Sequence, residues 1–458
     1  MRIPRSARLA LGAIALAVTY DGIYKLILIG SSFGASVGAT FWPASGITVS
    51  VLILRRRREW PLFLVAVWVA DFFMDTHGGG YGVAASCGIA TANCAEPLLS
   101  ATLLRRWIGR PPDLSNGREL GLFYLAAAGA GPLLSATIAS TWQWLLGTSA
   151  VWPYLGRWYV GDALGVVVIA PVILTIAQNR ARPKLPEVGA LAGFAVIASA
   201  ALSAHFSARD GLPYLVIPAL SLIAIRIGTR AAAVAVFVIG LSVEILTAVG
   251  SGPFAGDGAF AGLVAAQMYV VACSVSGLTS AALMAGLIGR ERLALHDSLT
   301  GLANRRLLLT RTAELLDQVA RNDGAIGVVF IDLDDFKTIN DSHGHGVGDQ
   351  VLVETARRLQ TVVNERDTIA RIGGDEFVIL VDRVAKTATI EALVARIERV
   401  VSEPIECSGF SVTIKASVGH TICNRRGERP EELLNRADHA MYGVKRSRFE
   451  TSAVALHR

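Results

Sequence analysis

Apolar stretches long enough to cross a lipid bilayer recur through the first three-fifths of this 458-residue chain. They lie near 9–30, 34–54, 60–76, 82–104, 120–147, 158–178, 188–206, 213–226, 231–249 and 264–288. A helix needs about 20 apolar residues to cross about 30 Å of hydrocarbon, which makes 60–76 and 213–226 the marginal ones. Basic residues cluster after alternate stretches: Arg2, Arg5 and Arg8; Arg55 to Arg58; Arg105, Arg106 and Arg110; Arg180, Arg182 and Lys184; Arg226 and Arg230; Arg290 and Arg292. Under the positive-inside rule both termini are expected in the cytoplasm, with about ten crossings, or eight if one weak pair is re-entrant. The first stretch contains Asp21 and Lys25 and lacks a small-residue cleavage site, so it reads as an anchor and not as a removed signal peptide. The expectation for residues 1–288 is a polytopic α-helical membrane domain.

Charge divides the chain in the same place. Residues 1–288 hold 19 of the 43 Lys and Arg but only 12 of the 37 acids, a balance of +7, while the remainder balances at −1. An apolar content of 52% excludes an ordinary soluble enzyme over the whole length. The net charge of +6 belongs to the membrane half, reflects topology, and gives no reason to expect nucleic acid as a partner.

Residues 297–458 read as a globular domain. Strand-like runs at 368–372 and 377–381 flank Gly373-Gly374-Asp375-Glu376. That spacing predicts a hairpin whose tip carries no side chains where a phosphate must approach and two carboxylates where a metal must bind. About forty residues earlier a second acidic turn, Asp332-Leu333-Asp334-Asp335, follows a strand-like run at 326–331. Two acid-bearing strand ends are what a nucleotidyl-transfer site needs to hold Mg²⁺ against a triphosphate.

Together these residues resemble the GGDEF family of diguanylate cyclases, which join two GTP molecules into cyclic di-GMP with release of diphosphate. Four further motifs carry the resemblance. His296 to Arg306 reads H-D-S-L-T-G-L-A-N-R-R, similar to the family's opening D-x-L-T-G-L-x-N-R-R. Asp332 to Asp341 reads D-L-D-D-F-K-T-I-N-D, and Gly344 to Asp349 fits G-H-x-x-G-D. Ala437 to Lys445 resembles A-D-x-A-L-Y-x-A-K. The resemblance implies a nucleotidyl-cyclase-like α/β fold with a central antiparallel-type sheet flanked by helices. It also implies activity as a homodimer in which two half-sites, one GTP each, face one another.

The roles below come from the resemblance, residue by residue. Asp332, Asp375 and the backbone carbonyl of Leu333 are the expected ligands of Mg²⁺, with Mn²⁺ as an alternative. Glu376 is a metal or base candidate, and Lys337 and Lys445 are the expected cations for the triphosphate, with Gly373 and Gly374 approached closely by the phosphates. Asn340 and Asp349 are expected to read guanine, whose donors and acceptors adenine lacks; an N-cap of a helix at 351–363 is the other reading of Asp349. The chain departs from the family twice. After Lys445 the family's K-x-x-G-R-N is replaced, with Phe449 at the arginine position, so that Arg448 becomes the substitute triphosphate contact. The inhibitory product site R-x-x-D reads Asn364-Glu365-Arg366-Asp367, a degenerate site in which Asn364 stands for arginine and Asp367 is kept. On an extended segment Arg366 would point elsewhere.

In the membrane half, Phe41-Trp42-Pro43-Ala44-Ser45-Gly46-Ile47 resembles the W-P-x-x-G-I segment of the membrane-associated sensor domains called MASE, first type. Tyr159 to Gly165, containing D-A-L-G, followed by Ile169-Ala170-Pro171, resembles that family's second landmark. Residues 289–296 leave space only for a short signalling helix between the halves. Cys87, Cys94, Cys273, Cys407 and Cys423 form no C-x-x-C pair and read as free thiols.

The organisation expected is thus a membrane sensor at 1–288, a linker at 289–296 and a GGDEF domain at 297–458, in a bacterial inner membrane with GTP on the cytoplasmic side and cyclic di-GMP receptors downstream. Two other classes are compatible with the sequence. One is a catalytically weak domain that binds GTP or cyclic di-GMP as a receptor. The other is a transporter with a regulatory tail, because Asp71, Glu96, Asp162 and Glu244 lie in apolar stretches where ionisable groups are functional by default, interfacial placement being the equal reading of Asp71 and Glu96.

Overall fold

The computed structural model describes residues 4–31, 41–178, 198, 212–255, 259–322, 324–384, 386–407, 409–424 and 427–456. The stretch expected at 188–206 lies outside the described residues except for Ala198. The chain divides into two units, Met1–Leu287 and Ile288–Arg458.

The first unit is helical. Its elements are α1 (Arg5–Ser31), α2 (Pro43–Leu54), α3 (Trp60–His77), α4 (Val83–Trp107), α5 (Gly117–Phe123), a π-helical turn (Tyr124–Ala130), α6 (Gly131–Leu145), α7 (Val151–Gln178), α8 (Val216–Ile227) and α9 (Thr229–Ala248), followed by α10 (Ala259–Leu295). Among the described residues five helical segments are long and apolar enough to cross a membrane: Arg5–Lys25, Gly117–Leu145, Val151–Gln178, Thr229–Thr247 and Ala261–Glu291. Two further expected stretches form apolar helices of only 12 residues, α2 and α8. The stretches at 60–76 and 82–104 form α3 and α4, whose apolar character is interrupted by the buried acids Asp71, Asp75 and Glu96.

Helices here approach through small residues, as they must where lipid gives no hydrophobic drive for association. A Cβ added to Gly131 would stand 2.0 Å from Ser100 Oγ, so α6 lies directly on α4. Ser100 donates to the Ala126 carbonyl (3.3 Å) within the π-helical turn. The two sequence landmarks also meet: Trp42 N–H donates to the Gly161 carbonyl (3.0 Å), docking the start of α2 on α7.

The second unit carries α11 (Arg305–Asn322), β1 (Ile326–Leu333), α12 (Phe336–His343), α13 (His345–Thr361), β2 (Thr368–Arg371), β3 (Glu376–Val381), α14 (Thr387–Val401), β4 (Ile405–Cys407), β5 (Phe410–Val412), β6 (Ala416–Cys423) and α15 (Pro430–Leu456). Four strands form an antiparallel sheet in the order β2-β3-β1-β6, with β4–β5 as a separate hairpin. The unbroken apolar run of β1 is buried along its whole length because helices cover both faces. Val329, Ile331 and Leu333 pack with α13 and α14, while Val328 and Phe330 pack with α11 and α15. Strand alternation therefore turns Asp332 toward the α15 side.

Candidate functional site

The acidic end of β1 and the glycine hairpin lie side by side. β2 and β3 form the expected hairpin, and Asp332 on β1 is the register partner of Glu376 on β3. The β1–β3 ladder runs into the hairpin tip, where Leu333 N–H donates to the Asp375 carbonyl (3.2 Å). Asp332, Leu333, Asp375 and Glu376 thus converge through backbone pairing alone. The Glu376 carboxylate lies against the bare backbone of Gly373, where a Cβ would meet Oε2 at 2.5 Å and displace that side chain.

Lys445 reaches this group from α15. Its Nζ stands 2.5 Å from Asp332 Oδ1. The reach depends on Gly419 in β6, where a Cβ would lie 2.0 Å from the Met441 backbone nitrogen, so α15 presses onto the sheet one turn before Lys445. The neighbouring Asp334 accepts from Ser417 Oγ (2.7 Å) and Asp335 takes left-handed backbone (φ 55°) to turn the chain into α12.

One cation does not balance these acids. Burial pushes the Asp332 carboxyl above its ordinary range; Lys445 opposes the rise, and the charges of Asp375 and Asp334 add to it. Glu376 is raised too, by burial first and then by Asp332, Asp375 and Asp438, against Lys445. Lys445 is itself raised: its own burial works against the charge, and Asp332 outweighs that. Among the described residues no three His, Cys, Asp or Glu side chains stand together as a complete metal cage. Hard oxygen donors with uncompensated negative charge but an incomplete shell fit Mg²⁺, which takes one or two carboxylates and completes its shell with water and substrate phosphate.

An ion pair between the opening motif and β2 braces the hairpin. Arg371 on β2 bonds both carboxylate oxygens of Asp297 (3.0 and 3.2 Å) and donates to the Gly374 carbonyl from Nη2 (2.7 Å) and Nε (3.1 Å). Thr300 fixes Asp297 through its N–H (2.9 Å) and hydroxyl (2.6 Å), which explains the D-S-L-T motif physically. Sequence reading found the motif but not the brace, because the pair is separated by 74 residues.

The remaining candidates are distributed. Asn340 packs on Gly348, where a Cβ would stand 2.0 Å from its Oδ1, bringing it beside the residue before Asp349. Asp349 is no N-cap: α13 begins at His345 and its cap position is Gly344, so Asp349 sits exposed within the helix. Lys337 is exposed on α12. No hydrogen bond among the described residues joins Lys337, Asn340 or Asp349 to the carboxylates. The side chains of Arg448 and Phe449 lie outside the described residues.

At the degenerate inhibitory site residues 364–367 form a turn and not an extended strand, with Asp367 N–H donating to the Asn364 carbonyl (3.1 Å). Asp367 is committed to that turn, accepting from the backbone N–H of Asn364 (3.0 Å) and Asp382 (3.1 Å). Arg366 lines the same cavity of about 700 Å³ as Asn364 and Arg311, and because the segment turns instead of extending, the expectation that an extended strand points Arg366 elsewhere does not apply.

Comparison with known proteins separates the same two regions. The MASE1 family model matches residues 13–292, and the model described as diguanylate cyclase, GGDEF domain, matches 294–451. The bifunctional diguanylate cyclase/cyclic di-GMP phosphodiesterase MucR of Pseudomonas aeruginosa is 42% identical over 154 residues, 34% of this chain and 22% of MucR. Diguanylate cyclase TpbB of Pseudomonas aeruginosa is 38% identical over 152 residues, 33% of this chain and 35% of TpbB. A solved structure comprising only the GGDEF domain of TpbB aligns at 38% identity with a TM-score of 0.32, covering 33% of this chain and 89% of that one. The chain thus spans between a fifth and about a third of these curated relatives.

Proposed function

We propose, for a chain that belongs to the MASE1 family and carries a GGDEF domain, that this multi-pass membrane protein is a diguanylate cyclase condensing two GTP into cyclic di-GMP and two diphosphates. The observation that carries the reading is the convergence of Asp332, Asp375, Glu376 and Lys445 at one end of the sheet. A product-only receptor has no need for metal-holding carboxylates, and a GTP-only receptor has none for a further proton acceptor such as Glu376 beside them.

In this reading Asp332, Asp375 and the Leu333 carbonyl hold Mg²⁺, which when bound neutralises the triphosphate and acidifies the ribose 3′-hydroxyl. Lys445, held at the site by Asp332, and the exposed Lys337 supply further positive charge to phosphate oxygens. Glu376, with its raised proton affinity, accepts the proton of the attacking hydroxyl. The bare backbone at Gly373 and Gly374 lets phosphate come close, while Asn340 and Asp349 select guanine. Each domain offers one half-site, so the bond forms between the GTPs of two copies, and the membrane domain sets the balance of productive and unproductive pairs. The chain resides in the bacterial inner membrane with this domain in the cytoplasm, where GTP is.

The full chain in lipid nanodiscs, incubated with GTP and Mg²⁺, should yield cyclic di-GMP and diphosphate by chromatography. Saturable GTP binding with no product would replace this reading with the receptor.

A further inference from the structure

The two landmarks of the membrane domain meet over a buried acid pair. A Cβ at Gly46 would stand 2.3 Å from Gly165 O, and a Cβ at Gly165 only 1.9 Å from Trp42 O, so the backbones of α2 and α7 touch. That contact seats Ser45 between Glu96 on α4 and Asp162 on α7. Its Oγ lies 2.7 Å from Glu96 Oε2 and 3.1 Å from Asp162 Oδ1. The three residues are 4%, 1% and 3% exposed.

A serine hydroxyl has one proton to donate. It can satisfy one of these carboxyls; the other must donate to the hydroxyl in turn, or face its lone pairs. The two outer oxygens, Glu96 Oε1 and Asp162 Oδ2, are buried without any hydrogen-bond partner. Ser135 and Trp158 stand beside Asp162, but the Trp158 indole N–H is taken by Ser135 Oγ (2.8 Å). Two ionised carboxylates this close, with no cation and so few donors, are strongly disfavoured in a low-dielectric interior.

Nothing basic relieves the pair. Among the described residues no Lys, Arg or His bonds to either acid, and Arg157, the nearest basic residue on α7, is exposed. Other titratable groups on the elements packed around the pair include Tyr20 on α1, Asp71 and Asp75 on α3, Cys87 and Cys94 on α4, Tyr124 in the π-helical turn, Tyr154 and Tyr159 on α7 and Glu244 on α9. His77 on α3 is engaged with the Phe73 carbonyl (3.0 Å), and Arg105 on α4 with the carbonyls of Ile53 (2.9 Å) and Arg55 (2.6 Å). Asp71 accepts from Asn93 Nδ2 (2.7 Å), and Asn93 Oδ1 is a further buried acceptor without a donor. Unmet acceptors predominate, so the missing component is a hydrogen-bond donor or a cation. No group of three acid, His or Cys side chains is placed to hold a metal ion among the described residues.

We propose that Ser45, Glu96 and Asp162 form a proton-binding site in the membrane domain. At neutral pH one proton is held between the two carboxyls through the serine hydroxyl. Its release leaves two buried like charges beside the Gly46–Gly165 contact and loosens the packing of α2 on α7. The site gives the membrane domain a chemical input, the proton, that requires no ligand cavity.

Infrared difference spectroscopy of the full chain in nanodiscs, in H₂O and D₂O, tests this without GTP and so independently of the cyclase reading. Wild type should show a carboxylic-acid carbonyl band at neutral pH that shifts in D₂O and disappears as pH is raised. Glu96→Gln and Asp162→Asn should each remove or shift that band, since the single proton then has one carboxyl in place of two, and Ser45→Ala should move it through loss of its hydrogen bond. If an amide variant fails to insert, wild type against Ser45→Ala decides. Absence of the band at neutral pH, a band unmoved by the variants, or its replacement at constant pH by a response to sodium or potassium would overturn the proposal.

Discussion

Lys445 Nζ stands 2.5 Å from Asp332 Oδ1, yet the Asp332 carboxyl still titrates above its ordinary range because burial outweighs the pairing. Glu376, its cross-strand partner, is raised for the same leading reason. A carboxyl raised in the fold gives a stability contribution that is present below its unfolded value and lost as pH rises through its folded value. The metal-free protein should therefore gain thermal stability relative to Glu376→Gln as pH falls from neutral toward the carboxylate range. Saturating Mg²⁺ should shrink that difference. Thermal melts of both proteins across pH check this, and parallel pH dependences would place Glu376 in an ordinary environment.

Arg371 links Asp297 to the Gly374 carbonyl at the hairpin tip. Arg371→Met should leave the sheet intact but free the tip, and a misplacement of about 1 Å at a reacting centre costs on the order of a hundredfold in turnover. Asp297→Asn should have a similar effect, and the double variant little more, because the pair acts as one unit. Additive losses measured in the three variants would show that the brace is not shared.

Asn340→Ala and Asp349→Ala should raise the GTP concentration for half-maximal rate and weaken discrimination against ATP. A good paired base contact is worth about 1–3 kcal/mol, or roughly 5- to 150-fold. Steady-state kinetics with both nucleotides measures this. Unchanged values in both variants would return Asn340 to its packing role on Gly348.

Much of this site was legible in the sequence because its chemistry is local. The hairpin at Gly373-Gly374 and the strand before Asp332 follow from apolar runs broken by glycine and acid, and the structure has both. What pattern could not supply was long-range contact. Gly419 sits inside a strand, a signal of close backbone approach, but that Met441 fills the space is a tertiary fact. The start of α13 was missed for a local reason. The sequence places that helix at 351–363, whereas Gly344, with positive φ, is the cap and the helix begins at His345 despite Gly346 and Gly348. In the membrane half hydropathy located α3 and α4 as apolar stretches, but it could not show that Asp71 and Glu96 point inward and are buried.

Feedback inhibition should be weak. Asn364 cannot make the charged bidentate contacts of an arginine, which are worth roughly 1.5–3 kcal/mol, about ten- to a hundredfold in product affinity. Asp367 is meanwhile occupied by two backbone N–H groups. Asn364→Arg should introduce inhibition by micromolar cyclic di-GMP. Progress curves with and without a phosphodiesterase to clear product check this. Should wild type stall early and recover on clearance, Arg366 or Arg311 in the same cavity supplies the contact, and Arg366→Ala would relieve it.

The most direct measurement is cyclic di-GMP formation by the full chain in nanodiscs, wild type against Asp375→Ala, with GTP and Mg²⁺ saturating. Asp375 contributes its backbone carbonyl to the Leu333 N–H and its side chain to the carboxylate group, so alanine keeps the fold and removes only the carboxylate. The account predicts robust product from wild type and at most a few per cent of that rate from a variant that melts normally. Equal product from the two proteins, or none from either, would contradict it.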